Sequence, residues 1–261
     1  MKFATVNGVR LAYEDEGQEG PTLLFVHGAN LSSDLWREQI DYFKSYCRVI
    51  AVDVRGHGES QVTEEPYSIK LFAQDLNALL EHLKVEEAIV CGLSMGGMIA
   101  QQLAIDFPRR VQSLILAETL CSMKLNVFEQ VVSNFTKLAV RYLPVSVRAK
   151  IAASQWGNVN KEVGAYLYNE MMKYEQKNLV NIWKAVLSFE SRPYLKDIKC
   201  PTLVLAGANN WMFQRQAKTM AREIPNAKLY QLPQASHLAN MDNPKAFNKQ
   251  VHKFVQEGFS K

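Results

Sequence analysis

The chain has 261 residues, a length that suits one domain with a full core, with or without an inserted lid. Its charged fraction of 21% and its net charge of +4 are ordinary for a globular protein, and no run of consecutive basic residues stands out, so we expect no nucleic-acid partner. No apolar run approaches the length of a membrane span and the first residues do not resemble a signal peptide, so we expect a cytoplasmic protein without a membrane anchor.

The first half of the chain predicts short strands that alternate with amphipathic helices. Residues 2–15 indicate a hairpin around the turn dipeptide Asn7-Gly8. Apolar runs then predict strands at 22–26, 48–52, 87–91 and 111–117. The spacing of apolar residues predicts helices at 35–46, at 68–83 and from 98 to near 107.

The pattern changes after Leu120. Residues 122–195 contain no clear buried strand, and their amphipathic helical pieces, such as 127–141 and 162–174, are interrupted at Pro144 and near Gly157. Alternation then resumes with strands at 201–207 and 228–232 and helices at 214–224 and 244–259. Fully apolar strands alternating with helices predict an α/β fold whose parallel sheet is covered on both faces. We assign 1–121 and 196–261 to this core and 122–195 to a helical cap.

Ser94 lies in the middle of residues 92–97, Gly-Leu-Ser-Met-Gly-Gly, between a predicted strand and a predicted helix. A serine with glycine two positions to either side is typical of a nucleophile elbow, a turn so tight that a side chain at either flanking position would collide with neighbouring backbone. Such a turn raises the serine hydroxyl above the sheet. The motif alone is weak, because the same pattern occurs in ordinary glycine-rich loops.

A serine hydroxyl becomes a good nucleophile only when a base accepts its proton, and histidine is the usual base. Of the five histidines, His237 is the best candidate, because it lies late in the chain on the loop after the last predicted strand. We expect structural or surface roles for the other four, His27, His57, His82 and His252.

Four short motifs follow one another along the chain: Phe25-Val26-His27-Gly28, then Asp53-x-Arg55-Gly56-His57-Gly58-x-Ser60, then the elbow at 92–97, then Ser236-His237-Leu238. Together they resemble the α/β-hydrolase fold superfamily, in its single-domain form with a helical cap. Four motifs in order are far more specific than any one of them, and the resemblance covers essentially the whole chain. It implies a mostly parallel eight-stranded sheet with helices on both faces, with Ser94 as nucleophile and His237 as base.

The resemblance also implies an oxyanion hole made by the backbone amides of Ala29 and Met95, facing the oxygen that becomes negative during acyl transfer. Family members that open epoxides or displace halide carry Asp at the elbow, so Ser94 favours esters, thioesters, lactones, amides and certain carbon–carbon bonds instead. No cofactor is implied. The cysteines are widely spaced without a C-x-x-C motif, so we expect free thiols and no metal site: Cys47, Cys91, Cys121 and Cys200.

The third member of a triad is a carboxylate, which in most relatives follows the next-to-last strand in a Gly-x-x-Asp segment. Here Gly207 is followed three places later by Asn210. Three explanations stay open: the acid is Glu118, after the strand that follows the elbow; Asn210 itself orients His237, which leaves a slow hydrolase; or turnover has been lost. Asp242 is a weaker acid candidate, expected to be exposed near the start of the last helix.

Aromatic and methionine side chains near the motif loops predict an apolar substrate pocket, in which we place Trp36, Trp211 and Met212. An apolar pocket with few fixed charges favours a small substrate that is uncharged or hydrophobic. No arginine lies beside the elbow, and an anionic substrate stays open only through the arginines of the cap, Arg141, Arg148 and Arg192.

These features predict a serine hydrolase that cleaves a small ester-type substrate through an acyl-enzyme. One alternative on the same fold is a carbon–carbon bond hydrolase, or a cofactor-free perhydrolase or lyase. Another is a ligand-binding signalling protein with weak or no turnover, because Asn210 stands at the usual acid position. The oligomeric state and the acyl and leaving groups stay open.

Overall fold

A computed structural model describes residues 1–18 and 20–259 of the chain. Their strands form one eight-stranded sheet in the order β1-β2-β4-β3-β5-β6-β7-β8. The strands are β1 (Lys2–Val6), β2 (Val9–Gly17), β3 (Thr22–Val26), β4 (Arg48–Val52), β5 (Ala88–Leu93), β6 (Val111–Ala117), β7 (Thr202–Gly207) and β8 (Ala227–Leu232). Strands β1 and β2 are antiparallel to their neighbours and the other pairings are parallel, which confirms the predicted mostly parallel sheet.

In the described residues, ten α-helices connect the strands and cover the sheet. They are α1 (Arg37–Phe43), α2 (Ile69–His82), α3 (Met95–Asp106), α4 (Val127–Tyr142), α5 (Val145–Trp156), α6 (Lys161–Met172), α7 (Gln176–Leu187), α8 (Trp211–Glu223), α9 (Ala239–Asp242) and α10 (Pro244–Phe259). None of the helices in the described ranges combines the length and the apolar character needed to cross a membrane.

Local sequence signals explain several element boundaries. Asn7 and Gly8 both have positive φ, at 47° and 73°, which is the backbone conformation of the tight hairpin turn between β1 and β2. Ser68 caps α2 by accepting a hydrogen bond of 3.0 Å from the amide of Leu71. The predicted helix at 35–46 is instead a 3₁₀ turn, Ser33–Trp36, followed by the short helix α1.

The core has two layers because strand side chains alternate between the two faces of the sheet. On one face, Leu24 and Val26 of β3 belong to a cluster with residues of α2, α3 and α8. On the other face, Leu23 and Phe25 belong to a cluster with residues of α1 and α10. Helices therefore cover both faces, as the apolar strands predict.

Four helices, α4 to α7, lie between β6 and β7. Helices α5 and α6 pack closely at Gly157 and Gly164, where a side-chain carbon on either glycine would press on the backbone of the other. An isolated β-bridge between Ser122, before α4, and Glu190, after α7, joins the two ends of this segment. The helical insertion comes after the carboxyl end of β6, and the elbow comes after the carboxyl end of its parallel neighbour β5. Both therefore begin at the same end of the sheet.

Candidate active site

Ser94 occupies the sharp turn between β5 and α3. Its backbone has φ 55° and ψ −118°, a strained conformation for a residue with a side chain. The turn is held by a hydrogen bond of 3.0 Å from the Ser94 amide to the carbonyl of Ala117. A side-chain carbon at Gly96 would overlap the carbonyl of Val26, which explains why this position carries glycine.

His237 lies on the loop after β8, with its Nε2 atom 3.1 Å from Oγ of Ser94. This distance is within hydrogen-bond range. The imidazole packs between two aromatic rings, with ring centroids 4.5 Å from Trp156 and 4.9 Å from Phe213. The serine and the histidine are 143 positions apart in the chain, so only the fold brings them together.

Glu118 follows β6 directly and is 1% exposed, with a positive φ of 45°. Its carboxylate accepts hydrogen bonds from the backbone amide of Gly207 and from Nδ2 of Asn210. Its Oε2 atom lies 3.7 Å from Nδ1 of His237, beyond hydrogen-bond range. Burial raises the pKa of the Glu118 carboxyl, and the nearby imidazole and the two donors act against that rise.

Asn210, at the usual acid position, is 3% exposed and directs its side-chain amide at Glu118. No hydrogen bond joins it to His237 among the residues described. The imidazole Nδ1 is buried and has no hydrogen-bond partner there. The geometry therefore connects Asn210 to the histidine through a carboxylate and not directly.

Asp242 is the second carboxylate near the histidine loop. It ends α9 two residues before α10 begins, which is the predicted place near the start of the last helix. It is partly buried, so the prediction that it is exposed is wrong. Its Oδ2 atom accepts a hydrogen bond of 2.7 Å from the amide of Ser236, which fixes the loop next to His237. Burial raises the pKa of the Asp242 carboxyl to about 6.

The other histidines have different surroundings. His27 is buried, and its Nε2 accepts a hydrogen bond of 3.0 Å from the amide of Val54, which ties two loops together. His57 is also buried, with Nδ1 3.0 Å from the carbonyl of Arg55. Burial lowers the pKa to about 4 for His27 and to about 3 for His57. His82 is exposed at the end of α2, and His252 packs against Tyr42 and Tyr46.

Two backbone amides lie close to the elbow. Ala29 follows Gly28, where an added side-chain carbon would lie 3.3 Å from Cβ of Ser94. Met95 is the first residue of α3, so its amide has no partner inside the helix. Across residues 1–18 and 20–259, neither amide donates a hydrogen bond to another group.

A cavity of about 390 Å³ opens at the elbow, with Ser94, His237, Ala29 and Met212 in its wall. Helices α4 to α7 supply much of the remaining wall, which is mainly apolar. Two charged side chains, Arg148 and Glu129, are among the described residues of the wall.

Two of the three predicted pocket residues lie elsewhere. The prediction that Trp36 lines the pocket is wrong, because its side chain is fully buried under the sheet and stacks on Phe25 at 4.7 Å. The prediction for Trp211 is also wrong, because its side chain is 69% exposed on the surface, with its ring centroid 6.1 Å from that of Phe128. Sequence reasoning did not single out Phe213 and Trp156 as the partners of the imidazole, since only the folded chain brings their rings to it.

The cysteines are free thiols, as expected. Among the described residues there is no group of three or more His, Cys, Asp or Glu side chains that could hold a metal ion.

Comparison with known proteins agrees with this architecture. A sequence profile of the alpha/beta hydrolase fold matches residues 21–139 and 126–244. The chain is 32% identical over 254 residues to 3-oxoadipate enol-lactonase 2 of Acinetobacter baylyi. This alignment covers 95% of this chain and 93% of that protein.

Two solved structures also align over nearly the full length of the chain. The enol-lactonase of Burkholderia xenovorans LB400 is 25% identical, with a TM-score of 0.87 over 98% of this chain and 100% of that one. A thermophilic esterase of Thermogutta terrifontis is 26% identical, with a TM-score of 0.89 over 99% of both chains. These relatives are named as enzymes, which supports the expectation of an α/β-hydrolase enzyme. The chain belongs to the α/β-hydrolase fold family.

Proposed function

We propose that this protein is a serine hydrolase that cleaves a small ester or lactone through an acyl-enzyme. The observation that carries the proposal is the distance of 3.1 Å between Ser94 Oγ and His237 Nε2, at a strained turn in the wall of a cavity. A strained backbone that aims a serine hydroxyl at an imidazole is typical of a nucleophile and its base. The names of the full-length relatives, enol-lactonase and esterase, fit the same reaction class.

In the first half of the proposed reaction, Ser94 Oγ attacks the substrate carbonyl carbon while His237 Nε2 takes the hydroxyl proton. The tetrahedral intermediate then expels the alkoxide, which takes that proton from the imidazolium. In the second half, water attacks the acyl-serine and His237 again accepts and returns a proton. The products are an acid and an alcohol, or one hydroxy acid from a lactone, and Ser94 is regenerated.

The amides of Ala29 and Met95 are the proposed oxyanion hole. Both lie next to Ser94 in the chain or in space, and neither has an acceptor in the described residues. The N-terminus of α3 adds a favourable dipole at the same place. Removing one such donor typically costs on the order of 100- to 1,000-fold in rate.

Glu118 is the proposed acid, with Asn210 as a positioning residue. The contact of 3.7 Å between Glu118 Oε2 and His237 Nδ1 supports this assignment, because catalytic hydrogen bonds are often long before substrate binds. Asn210 donates to the same carboxylate and so restrains it. This arrangement disfavours the alternative in which Asn210 orients the imidazole itself.

We further propose that residues 122–195 act as a cap. The residues that α4 to α7 contribute to the wall support this, since these helices supply much of the lining of the cavity that contains Ser94. A cavity of about 390 Å³ with a mainly apolar wall suits a small acyl chain.

The proposal is tested with 4-nitrophenyl esters of two to six acyl carbons and with five- and six-membered lactones. We expect turnover by the parent protein and none above background by Ser94→Ala. A fluorophosphonate should transfer its phosphonyl group to Ser94 with loss of fluoride, so that one peptide, the one that contains Ser94, gains the mass of that group. The same reagent should label His237→Ala far more slowly. A Ser94→Ala variant that matches the parent rate on every substrate would contradict the proposal and favour a binding protein.

A further inference from the structure

Arg148 is a buried cation in the wall of the cavity that contains Ser94. It lies on α5, is 7% exposed, and is one of the two charged side chains of that wall. Two of its three side-chain nitrogens, Nε and Nη1, are buried and have no hydrogen-bond acceptor in the described part of the chain. Burying a guanidinium without acceptors costs free energy, so two buried nitrogens that no described residue accepts from call for an explanation.

The third nitrogen is held in place by a polar contact. Nη2 of Arg148 donates a hydrogen bond of 2.7 Å to Oε1 of Gln176. The amide nitrogen of Gln176 donates in turn to the carbonyl of Val140, also at 2.7 Å. That donation fixes which end of the Gln176 amide faces the arginine, and Gln176 thereby holds the guanidinium in one orientation. Nε and Nη1 still have no hydrogen-bond acceptor among the described residues.

Arg148 differs in this respect from Arg55, which has carboxylate partners. Among the described residues, Arg55 is the other buried arginine, at 2% exposed, and its Nε and Nη2 each donate a hydrogen bond of 2.7 Å to the carboxylate of Asp75. That contact raises the pKa of Arg55, whereas burial lowers the pKa of Arg148. No ion pair involves Arg148 within residues 1–18 and 20–259.

We propose that Arg148 binds a carboxylate of the substrate, so that the enzyme acts on an ester or lactone whose acyl part ends in an anionic group. This inference rests on the proposed hydrolase function and adds the substrate class. The apolar wall would contact the body of the acyl chain, while the guanidinium supplies the donors that a carboxylate accepts. The sequence favours a substrate that is uncharged or hydrophobic and leaves an anionic one open through the cap arginines, Arg148 among them. The proposed substrate combines a mainly apolar chain with one charged end.

Glu129 is the other charged group of the wall and must be compatible with a bound anion. Its Oε2 atom already accepts hydrogen bonds from the amide of Leu125 at 3.1 Å and from Nε2 of Gln216 at 3.0 Å. Burial also raises the pKa of its carboxyl. Both effects limit its repulsion of an anion elsewhere in the cavity.

The test uses matched pairs of 4-nitrophenyl esters that differ only in whether a carboxylate or a methyl group ends the acyl chain. The pairs are mono-4-nitrophenyl succinate with butanoate, glutarate with pentanoate, and adipate with hexanoate, each corrected by the rate with Ser94→Ala. In Arg148→Met the ratio of kcat/KM for the charged to the neutral ester should fall by roughly 10- to 100-fold at the best chain length, the effect of losing a charge-assisted hydrogen bond. Arg148→Lys should recover part of it.

Arg141→Met is the matched control, because Arg141 is exposed in the last turn of α4 and does not line the cavity. Its charged-to-neutral ratio should equal that of the parent within about 2-fold, the usual range for a surface charge. The Tm of Arg148→Met should equal or exceed that of the parent, since an unpaired buried charge is replaced by an apolar side chain. An unchanged ratio in Arg148→Met at all three chain lengths would overturn the proposal.

A binding experiment keeps this inference separate from the proposed chemistry. In the Ser94→Ala protein, calorimetry should show tighter binding of monomethyl glutarate than of dimethyl glutarate. The difference should vanish in the Ser94→Ala, Arg148→Met double variant. If no ester is turned over in a Ser94-dependent way, the hydrolase proposal fails while this difference still decides on the carboxylate site. Equal binding of the two esters by Ser94→Ala would overturn the site itself.

Discussion

Oε2 of Glu118 lies 3.7 Å from Nδ1 of His237, and the same oxygen accepts a hydrogen bond from the amide of Asn210. The carboxylate comes from the end of β6, and the amide from the position after β7 where most family members carry the acid. Because β6 and β7 are neighbours in the sheet, their ends converge on the same side of the imidazole. The absence of an acid after β7 thus coincides with a carboxylate one strand away.

The first prediction concerns the charge of Glu118. Glu118→Gln should lower kcat by on the order of 1,000- to 10,000-fold with little change in KM, because an uncharged amide no longer stabilises the imidazolium. The measurement is steady-state hydrolysis of the best 4-nitrophenyl ester. Asp242→Asn is the control, since it makes the same change in the other carboxylate near the loop and keeps an acceptor for Ser236. A larger loss in Asp242→Asn than in Glu118→Gln would exclude Glu118 as the acid.

The second prediction concerns the residue at the usual acid position. Asn210→Asp replaces a hydrogen-bond donor to Glu118 by a second carboxyl, and two carboxylates this close cannot both ionise at neutral pH. We expect lower kcat/KM at pH 7 and an acid limb of the pH–rate profile that moves to higher pH. If activity rises steeply instead, and Glu118→Gln is silent, the acid belongs at position 210 and the assignment of Glu118 is wrong.

The sequence predicts single strands and helices of this protein better than it predicts which distant residues meet in the cavity wall. Strands β3, β4 and β6 have the predicted bounds, because each is a short apolar run flanked by turn residues. Helix α8 begins at Trp211, three residues before the predicted start at 214, with Asn210 as its N-cap residue. The local sequence pattern is therefore sufficient to place short apolar strands, and it places the start of this helix within three residues.

The wall of the cavity was much less predictable. Trp36 and Trp211 both lie beside motif loops in the sequence, yet one is buried beneath the sheet and the other is on the surface. What surrounds each ring is contributed by residues far away in the chain, such as Phe247 of α10 near Trp36. The burial of Arg148 is likewise a product of packing between helices, which no local spacing reveals.

The third prediction uses these two tryptophans as a matched pair. Trp36→Ala should lower the free energy of unfolding by about 3–5 kcal/mol, the usual effect of removing a large core side chain. Trp211→Ala should change it by less than about 1 kcal/mol, because the ring is 69% exposed, and kcat/KM should stay within a few-fold of the parent value. Urea denaturation measures both. A strong loss of activity in a stable Trp211→Ala protein would restore Trp211 to the pocket.

The fourth prediction concerns acid stability. The pKa of His27 is about 4 and that of His57 about 3 in the folded protein, against an ordinary value of 6.5. Between pH 6.5 and these lower values the unfolded chain binds protons that the folded chain does not, so the free energy of unfolding falls as pH falls. For one such histidine the free energy of unfolding falls by roughly 2 kcal/mol between pH 7 and pH 5.

Thermal unfolding of the parent and of His57→Gln at pH 7 and pH 5 measures this effect. The difference in Tm between the two pH values should be smaller in His57→Gln, while the control His82→Gln, on an exposed helix end, should keep the parent's difference. Asp242 acts in the opposite direction, since its raised pKa of about 6 favours the folded state at low pH. Because Asp242 is present in all three proteins, the comparison between them isolates the histidine, and equal differences would contradict a buried neutral His57.

The last prediction concerns the backbone of the elbow. Gly96→Ala should abolish activity and lower the free energy of unfolding by more than the roughly 1–3 kcal/mol of ordinary overpacking, because the added carbon overlaps the backbone carbonyl of Val26, which cannot move without shifting β3. Gly8→Ala is the control: its φ of 73° is strained for alanine, but no atom lies within 4 Å of the added carbon. It should cost about 1 kcal/mol and leave kcat unchanged. Chemical denaturation and ester turnover measure both variants. A Gly96→Ala protein as stable and as active as Gly8→Ala would mean that the close approach of β3 does not shape the turn at Ser94.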